Sequence, residues 1–504
     1  TSKINTVKKE ITHRPVTQLG LFKFYNHMEQ VNWDFVDNNT LNCQEKFDTF
    51  YKKIVNAVEI CFPLKTFRTT NITKIKGSWF TERLRVMREQ VKFYCELANQ
   101  NQISAAYLKH QKKVYAKELA KAKKSYNDNY INNSLNKQKA MWQIIDSESK
   151  IKSIESTNII SCEDFNNYFI NLSSNLQGNI PTLGQDFRSY LTSDYDASFT
   201  FKDVTFNEVR DIVSKMKNSK SKDTDNICIL MLKTILNLIV IPMTKVINHC
   251  IQEHTFPIQL KVTKVVPILK KQGDINSTKN YRPISLVPIF GKIFETILKN
   301  QLSEFFESLS LFNYSQFGFR NKRSTTLATN SLCSEILRAF EQKQNSLLSV
   351  FDLQKAFDTV CHDILLYKLK YYLRSENSLK LIRSYLTDRQ QYVYFNNSAS
   401  SKQKLVAGVP QGSVLGPFLF LVYINDISSL TLDGKLVLFA DDTSVLISGK
   451  DINRINEMSS EAETQISNWF SANKLLANKD KTQHLLFSLS SEINKNDYVK
   501  FLGF

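Results

Sequence analysis

The stretch LLSVFDLQKAFD at residues 347–358, together with LVLFADDTSVLI at residues 436–447, decides the architecture of this 504-residue chain. In the first stretch an apolar run predicts a buried strand that ends on Asp352, and a helical phrase follows it. In the second, one apolar run reaches Asp441 and Asp442 and another returns, which predicts a hairpin with two acids at its turn. The two stretches together predict a sheet with three carboxylates at the ends of its strands.

Two adjacent aspartates in a turn are, taken alone, most often ordinary turn residues, because Asp hydrogen-bonds its own backbone. Three carboxylates on neighbouring strand ends instead repel one another and have raised pKa values unless cations lie between them. Mg²⁺ suits such a site, since it takes a few carboxylate oxygens and fills its other positions with water and phosphates. We therefore predict that Asp352, Asp441 and Asp442 bind two Mg²⁺ ions, for which Mn²⁺ could substitute, and catalyse nucleotidyl transfer.

Several motifs at these positions resemble those of one enzyme family. FDLQKAFD (351–358) and FADD (439–442) resemble the two catalytic motifs of reverse transcriptases. Between them, AGVPQGSVLGP (407–417) and YIND (423–426) resemble the nucleotide-site motif of the non-LTR, jockey-like retrotransposon enzymes. The order and spacing of the motifs also agree with the family. The resemblance implies a right-hand polymerase of α/β (α+β) class, with fingers and with a palm built from an antiparallel sheet and helices.

The resemblance assigns three residues to the pocket for the incoming nucleotide. Phe357, five residues after Asp352, lies where the family places a bulky side chain against the sugar. A ring there would exclude the 2′-hydroxyl of ribonucleotides, although a core phenylalanine is the alternative for any single Phe. Gln411 matches the family residue that contacts the nucleotide, and Gly412 beside it permits close backbone approach.

Positive groups for the triphosphate are expected from two further motifs. VVPILKK (265–271) and NYRPIS (280–285) resemble the fingers hairpin of the family. Arg282 is expected to grip phosphate oxygens with its planar fork, with Lys270 or Lys271 beside it. Late in the chain, LLANKDKT (475–482) resembles the palm motif whose lysine approaches the pyrophosphate, so Lys481 is a candidate general acid; a plain lysine at a helix end is the alternative.

SQFGFR at residues 315–320 resembles the family block that lines the template path. The residues that this resemblance assigns to the template are Gln316, Gly318, Phe319 and Arg320. A histidine is common in the family where Arg323 stands, so this chain adds a charge there.

The overall charge agrees with a nucleic-acid partner. Lysine and arginine total 66 against 48 acids, which gives a net charge of +18, although charge alone does not exclude a merely basic protein. Helical spacing in residues 1–150 predicts a helix with a basic stripe, formed by Lys109, Lys113, Lys117 and Lys121. The stripe is either a track along phosphates or a solvated face. The apolar stretch around residues 227–243 is interrupted by polar residues and proline, so no membrane span is predicted.

Three regions are expected along the chain. Residues 1–195 form a mostly helical, basic region that follows an absent endonuclease, residues 196–345 form the fingers, and residues 346–504 form the palm with part of the fingers inserted and the thumb absent. The expected partners are an RNA template, a DNA primer or target and deoxynucleoside triphosphates, and the oligomeric state is left open. The expected location is intracellular, with a cytoplasmic phase and a nuclear step at a chromosomal nick.

Two other functions compete with this interpretation. An RNA-directed RNA polymerase shares the palm and the paired aspartates, but Phe357 argues against ribonucleotide use. A decayed or domesticated element would bind nucleic acid without catalysis. The presence of all three aspartates, of Gln411 and of Arg282 argues against decay.

Overall fold

The computed structural model describes residues 9–69, 79–99, 103–134, 136–148, 160–177, 185–192, 195–219, 221–270, 273–478 and 481–489. Its helices are α1 (Gln18–Glu29), α2 (Cys43–Cys61), α3 (Glu82–Asn99), α4 (Ala105–Asn132), α5 (Lys137–Glu148), α6 (Cys162–Gln177), α7 (Phe206–Lys215), α8 (Ile229–Gln252), α9 (Ile289–Ser308), α10 (Thr325–Glu341), α11 (Ala356–Thr359), α12 (His362–Leu373), α13 (Glu376–Leu386), α14 (Gly416–Ile424) and α15 (Ile452–Ala472). Its strands are β1 (Lys9–His13), β2 (Lys65–Thr69), β3 (Val262–Leu269), β4 (Tyr281–Leu286), β5 (Asn345–Phe351), β6 (Gln390–Phe395), β7 (Ser398–Ala399), β8 (Gln403–Lys404), β9 (Lys435–Phe439), β10 (Asp442–Gly449) and β11 (Gln483–Phe487).

The chain divides into two compact units that do not follow the expected boundary at residue 195. The first unit combines residues 1–13 with 65–158, and the second combines residues 14–64 with 159–504. Residues 14–64 belong to the second unit because α1 and α2 bury aromatic side chains, among them Phe24 and Phe50, in the same hydrophobic core as α8.

The first unit is mainly helical, as its sequence predicts. Its longest helix, α4, begins after Ser104, whose hydroxyl accepts a hydrogen bond from the Tyr107 N–H and caps the first turn. The four lysines of the predicted stripe are all exposed, while Tyr115 and Leu119 on another face are partly covered. The unit also contains a two-stranded antiparallel sheet, β1 with β2, which the helical spacing did not predict.

The two stretches that decide the architecture form the centre of an antiparallel sheet in the order β11-β5-β10-β9. The predicted strand and the predicted hairpin are both confirmed. Leu348, Val437 and Leu446 pack under α10 on one face, and Val445 and Ile447 join the core that contains α15 on the other. Because both faces are covered, the strands are nearly continuous apolar runs.

A second sheet contains the predicted hairpin of the 265–285 region. Its strand order is β4-β3-β6-β7, with β3 antiparallel to β4 and parallel to β6. Helix α6 covers it through Phe165, whose ring centroid lies 4.8 Å from that of Tyr281 and 5.1 Å from that of Phe395.

Helix α8 is the apolar stretch for which no membrane span was predicted. It continues through Lys233 and Asn237 with Pro242 inside it, so by length and composition it could cross a membrane, alone among the helices of the described ranges. The structure places this helix against α1, α2 and α7, with Ile235 and Ile239 fully buried. Its apolar character is accounted for by its place in the core.

Candidate active site

The three predicted carboxylates lie together at one end of the four-stranded sheet. Asp352 directly follows β5, and Asp442 opens β10. Thr443 pairs with Phe351 in the antiparallel register, so the next position in the same register sets Asp442 opposite Asp352. Asp441 stands at the turn between β9 and β10. We refer to these three residues as the carboxylate edge.

Burial and the repulsion between neighbouring carboxylates raise pKa values at the carboxylate edge. Burial raises the pKa of Asp441, and the charge of Asp352 raises it further. Burial also raises the pKa of Asp442 to about 6, with added contributions from Asp441 and Asp352. Such a set favours a cation, because a positive charge among the carboxylates lowers the free energy of their ionised forms.

Asp352 has its own partners from the segment that follows α15. Its Oδ2 accepts hydrogen bonds from Lys481 Nζ at 2.9 Å and from Asn478 Nδ2 at 3.1 Å, and its backbone carbonyl accepts the Asn478 N–H at 2.7 Å. The structure therefore brings Lys481 to the carboxylate edge, and its role toward the pyrophosphate stays a prediction. The role of Asn478 was missed, although it lies within the late palm motif.

The donor set of the carboxylate edge suits a divalent cation that prefers oxygen ligands. In the described ranges, however, no three His, Cys, Asp or Glu side chains converge closely enough to hold a metal ion as they stand. Lys481 supplies the positive charge next to Asp352 instead. The residue types thus fit a divalent ion, and the ion pair with Lys481 would have to give way to it.

Four cationic side chains gather beside the carboxylate edge, and we call Lys270, Arg282, Lys355 and Lys481 the cation group. Burial lowers the pKa of Lys270, and the charges of Arg282 and Lys481 lower it further. Burial also lowers the pKa of Lys355, with further lowering by Lys270, Arg282 and Lys481. The charges of Arg282 and Lys481 thus act on both Lys270 and Lys355. The other predicted lysine, Lys271, lies outside the described residues.

Sequence reasoning assigned no role to Lys355, although the residue stands inside the first catalytic motif. Its backbone has a left-handed φ of +52°, which turns the chain sharply between β5 and α11. Its Nζ lies 3.4 Å from the backbone carbonyl of Tyr281, the residue before Arg282. The spacing of three residues after Asp352 is the signal that could have placed it at the site.

Phe357 is held between two other aromatic rings. It stacks on Phe420 of α14 with centroids 4.6 Å apart, and the ring of Phe319 meets it edge-on at 6.1 Å. Phe357 is partly buried, and both neighbouring rings pack against it. A ring fixed in this way can set the width of a pocket.

The loop that carries Gln411 is tied to the second sheet and to α11. Gln411 donates from Nε2 to Asp358 Oδ2 at 3.2 Å, and its carbonyl accepts the Ser285 N–H at 2.8 Å. Gly412 has a φ of +115°, and a Cβ there would lie 2.6 Å from the Ser285 carbonyl oxygen. Only glycine therefore permits this approach. Asp358, which accepts the hydrogen bond from Gln411, is buried, and burial raises its pKa to about 7.

A buried glutamate that the sequence analysis missed supports the same loop. Glu295 of α9 is fully buried, and its Oε2 accepts the Val414 N–H at 2.6 Å and the Leu415 N–H at 3.3 Å. These are N–H groups at the start of α14, where a carboxylate is favourable. Sequence offers no direct signal for it, because Glu295 lies in an ordinary helical pattern.

Two of the four residues predicted to contact the template have buried side chains. Gln316 is only 2% exposed, and its side chain contacts the turn before Asp441. Arg320 donates from Nε and Nη2 to the carboxylate of Glu307 at 2.9 and 2.6 Å, and is itself largely buried. Neither side chain faces outward. Gly318 is buried as well, whereas Phe319 is 54% exposed and is the member of this block that is open to solvent.

Comparison with known proteins shows which family this part of the chain is similar to. Residues 268–504 match the family model described as reverse transcriptase (RNA-dependent DNA polymerase). The matched region contains the carboxylate edge, the cation group and the Gln411 loop. The resemblance predicted from the motifs is therefore confirmed for this part of the chain.

Individual relatives narrow the similarity to non-LTR, LINE-type retrotransposon enzymes. The chain is 30% identical over 314 residues to the probable RNA-directed DNA polymerase from transposon BS of Drosophila melanogaster, covering 61% of this chain and 34% of that protein. It is 29% identical over 314 residues to the RNA-directed DNA polymerase from mobile element jockey of the same species, with the same two coverages of 61% and 34%. The chain thus spans about one third of the length of these curated relatives.

A solved structure of telomerase from Candida tropicalis, in complex with a fragment of telomeric RNA, is similar to 58% of this chain. The match covers 57% of that chain, at 15% sequence identity and a TM-score of 0.35.

Proposed function

We propose that this chain is an RNA-directed DNA polymerase of the non-LTR retrotransposon type, which adds deoxynucleotides to the 3′-hydroxyl of a primer. The observation that carries the proposal is the meeting of the carboxylate edge with the cation group, linked by the contact between Lys481 and Asp352 at 2.9 Å. Phosphoryl transfer requires acidic side chains that bind metal ions and cationic side chains that bind the polyphosphate.

We assign the four-stranded sheet to the palm of a right-hand polymerase and the β3–β4 hairpin to its fingers. The assignment is supported by the position of the carboxylates on the first element and of Lys270 and Arg282 on the second. The Ser285 N–H donates to the Gln411 carbonyl, and this hydrogen bond joins the proposed fingers to the loop that carries Gln411.

Asp352, Asp441 and Asp442 are the residues that would hold divalent metal, two Mg²⁺ ions in our proposal, with Mn²⁺ as a substitute. A bound divalent ion supplies Lewis acidity at the primer hydroxyl and neutralises charge on the leaving pyrophosphate. Lys481, which contacts Asp352 at 2.9 Å, is proposed to donate a proton to a pyrophosphate oxygen.

The remaining cations are proposed to bind the triphosphate. Arg282 is exposed on β4, and Lys270 follows β3 directly. The Lys355 ammonium lies 3.4 Å from the carbonyl of Tyr281, the residue before Arg282, and the charges of Lys270, Arg282 and Lys481 lower its pKa. Charge-assisted hydrogen bonds to phosphate oxygens would relieve the mutual repulsion of these groups.

Phe357 and Gln411 are proposed to select and orient the nucleotide. The ring of Phe357, fixed by Phe420 and Phe319, would leave no room for a 2′-hydroxyl. Phe357→Val, which shortens the side chain, is expected to increase ribonucleotide incorporation. A Phe418→Leu variant, altered on the same helix as Phe420 but packed against Phe306 and Phe312, is the matched control. Unchanged sugar selectivity in Phe357→Val would remove the residue from the pocket.

Primer extension on an annealed RNA template, with Mg²⁺ or with EDTA, tests the proposed function. Metal-dependent addition of deoxynucleotides but not ribonucleotides is expected. Preferential ribonucleotide addition would favour an RNA-directed RNA polymerase, against which Phe357 argues. RNA binding without synthesis would favour the non-catalytic binding protein.

The partners proposed on this basis are an RNA template, a DNA primer or target and deoxynucleoside triphosphates. If the chain acts, as the resemblance implies, at a nick in chromosomal DNA, that step takes place in the nucleus. The exposed lysines of α4 offer a further surface for phosphates.

A further inference from the structure

The segment 315–318 runs beside β9, the strand that leads to Asp441. The Leu438 N–H donates to the Ser315 carbonyl at 2.9 Å, and the Phe317 N–H donates to the Leu438 carbonyl at 2.8 Å. Gln316 pairs with Leu438 in a parallel bridge. In the strand order β11-β5-β10-β9 this segment therefore covers the outer side of β9.

From this position the side chain of Gln316 reaches the turn itself. Its Oε1 accepts the Ala440 N–H at 3.0 Å and the Gly318 N–H at 2.7 Å. Both donors are backbone N–H groups, so only the oxygen of the amide can occupy this place, and its orientation is determined. Because Gln316 is 2% exposed, it has no free surface for nucleic acid.

Ala440, directly before Asp441, needs such support. Its φ of +55° lies in the left-handed region that residues with a side chain seldom adopt. The segment 315–318 also comes unusually close to Ala440, since a Cβ on Gly318 would lie 2.4 Å from the Ala440 nitrogen. The turn is thus held from outside by a hydrogen bond to Gln316 and by close packing against Gly318.

We infer that Gln316 is a positioning residue for the carboxylate edge, whose side-chain oxygen holds the turn at Ala440 so that Asp441 and Asp442 stand beside Asp352. The effect of this residue on catalysis rests on the proposed function. Its effect on the turn does not, because the hydrogen bonds are made by the protein alone.

The first test measures hydrogen–deuterium exchange of the peptide covering residues 436–444 in the metal-free chain. Gln316→Ala leaves the Ala440 N–H without this acceptor, so exchange in the peptide is expected to become roughly fivefold faster. Gln316→Glu keeps an acceptor oxygen and should retain the protection. Wild-type exchange rates in Gln316→Ala would overturn the inference.

The second test separates kcat from KM in primer extension with Mg²⁺. Gln316→Ala is expected to lower kcat by roughly 100-fold with little change in the KM for deoxynucleotides, because the aspartates shift and the triphosphate contacts do not. Leu332→Ala is the matched control, since Leu332 packs in the same hydrophobic cluster as Phe317 and Val437 without contacting Ala440 through a hydrogen bond.

The Gln316→Ala and Leu332→Ala chains are compared with the wild type at a temperature where all three are folded. An equal loss of kcat in Leu332→Ala would overturn the inference, because the effect would then belong to general destabilisation. If the wild-type chain adds no deoxynucleotides at all, the proposed function fails, and the exchange measurement still decides the role of Gln316.

Discussion

At the carboxylate edge, burial and like charge raise the pKa values of Asp441 and Asp442, whereas in the cation group the same two causes lower those of Lys270 and Lys355. The charged forms of these four residues are therefore less stable than they would be in water. The protein holds both in place through its fold, and a ligand of opposite charge would relieve each one. This is electrostatic preorganisation, in which charges are fixed before the reacting groups arrive.

The two sets also differ in how the chain builds them. The carboxylates stand on the ends of two adjacent strands of a doubly covered sheet, so short local motifs specify them. The cations come from four separate places, after β3, on β4, after β5 and after α15. Their meeting depends on how distant elements pack.

The largest effect is expected from breaking the carboxylate edge. Asp441→Asn removes one charge from the proposed metal ligands and should lower the rate of DNA synthesis by roughly 1,000-fold or more, while RNA binding stays within a factor of two or so. Single-turnover extension and a filter-binding titration measure the two quantities. Asp451→Asn, at the cap of α15 and outside the site, is the control. An Asp441→Asn chain that still extends primers normally would refute the site assignment.

Breaking the cation group should act on substrate affinity. Arg282→Ala is expected to raise the KM for deoxynucleotides by roughly 10- to 100-fold, since a hydrogen bond to a charged group contributes about 1.5–3 kcal/mol. Lys279→Ala removes an exposed lysine from the same hairpin and serves as the control. Steady-state kinetics with varied deoxynucleotide concentration provide the comparison. Equal KM values for the two variants would place Arg282 outside the triphosphate site.

The raised pKa of Asp442 makes a prediction about stability without metal. The folded pKa of about 6 exceeds the ordinary value of 3.8, so folding favours the protonated form and stability decreases as pH rises through this interval. Asp442→Asn should therefore increase the free energy of unfolding by about 1–2 kcal/mol at about pH 7.5, after allowance for solvent screening, and by almost nothing near pH 3.

Urea unfolding in EDTA at both pH values measures this difference. Added Mg²⁺ should then stabilise the wild type more than the variant, because a ligand that binds only the folded state adds its binding free energy to stability. A variant that is less stable than the wild type at neutral pH would show that Asp442 is not under electrostatic strain.

The smallest effect concerns the basic stripe of α4, a cationic surface without the crowding of the cation group. Replacing Lys109, Lys113, Lys117 and Lys121 with glutamine should reduce the salt dependence of RNA binding, by roughly 0.7 in the logarithmic slope for each phosphate that the stripe no longer neutralises. The control replaces Lys215, Lys217, Lys245 and Lys299 instead, which are charged residues of the second unit. An unchanged slope would mean that the α4 stripe is a solvated face.

Prediction from sequence succeeded where the signal is local. The apolar runs gave the correct strand before Asp352 and the correct hairpin around Asp441 and Asp442. Helical spacing gave α4 with its lysines on the exposed face. It failed for residues 14–64, whose helices look like part of the basic region until their packing against α8 is seen.

The sequence by itself determined the strands, the hairpin and the motifs from which the chemistry is predicted, because periodicity and spacing are properties of short segments. Only the tertiary structure decided that Gln316 and Arg320 face inward and that Lys355 joins the cation group. It also brought Lys481 into contact with Asp352, which lies 129 positions away in the sequence. The physical reason is that burial and ion pairing depend on which surfaces meet when distant elements pack, and no short segment contains that information.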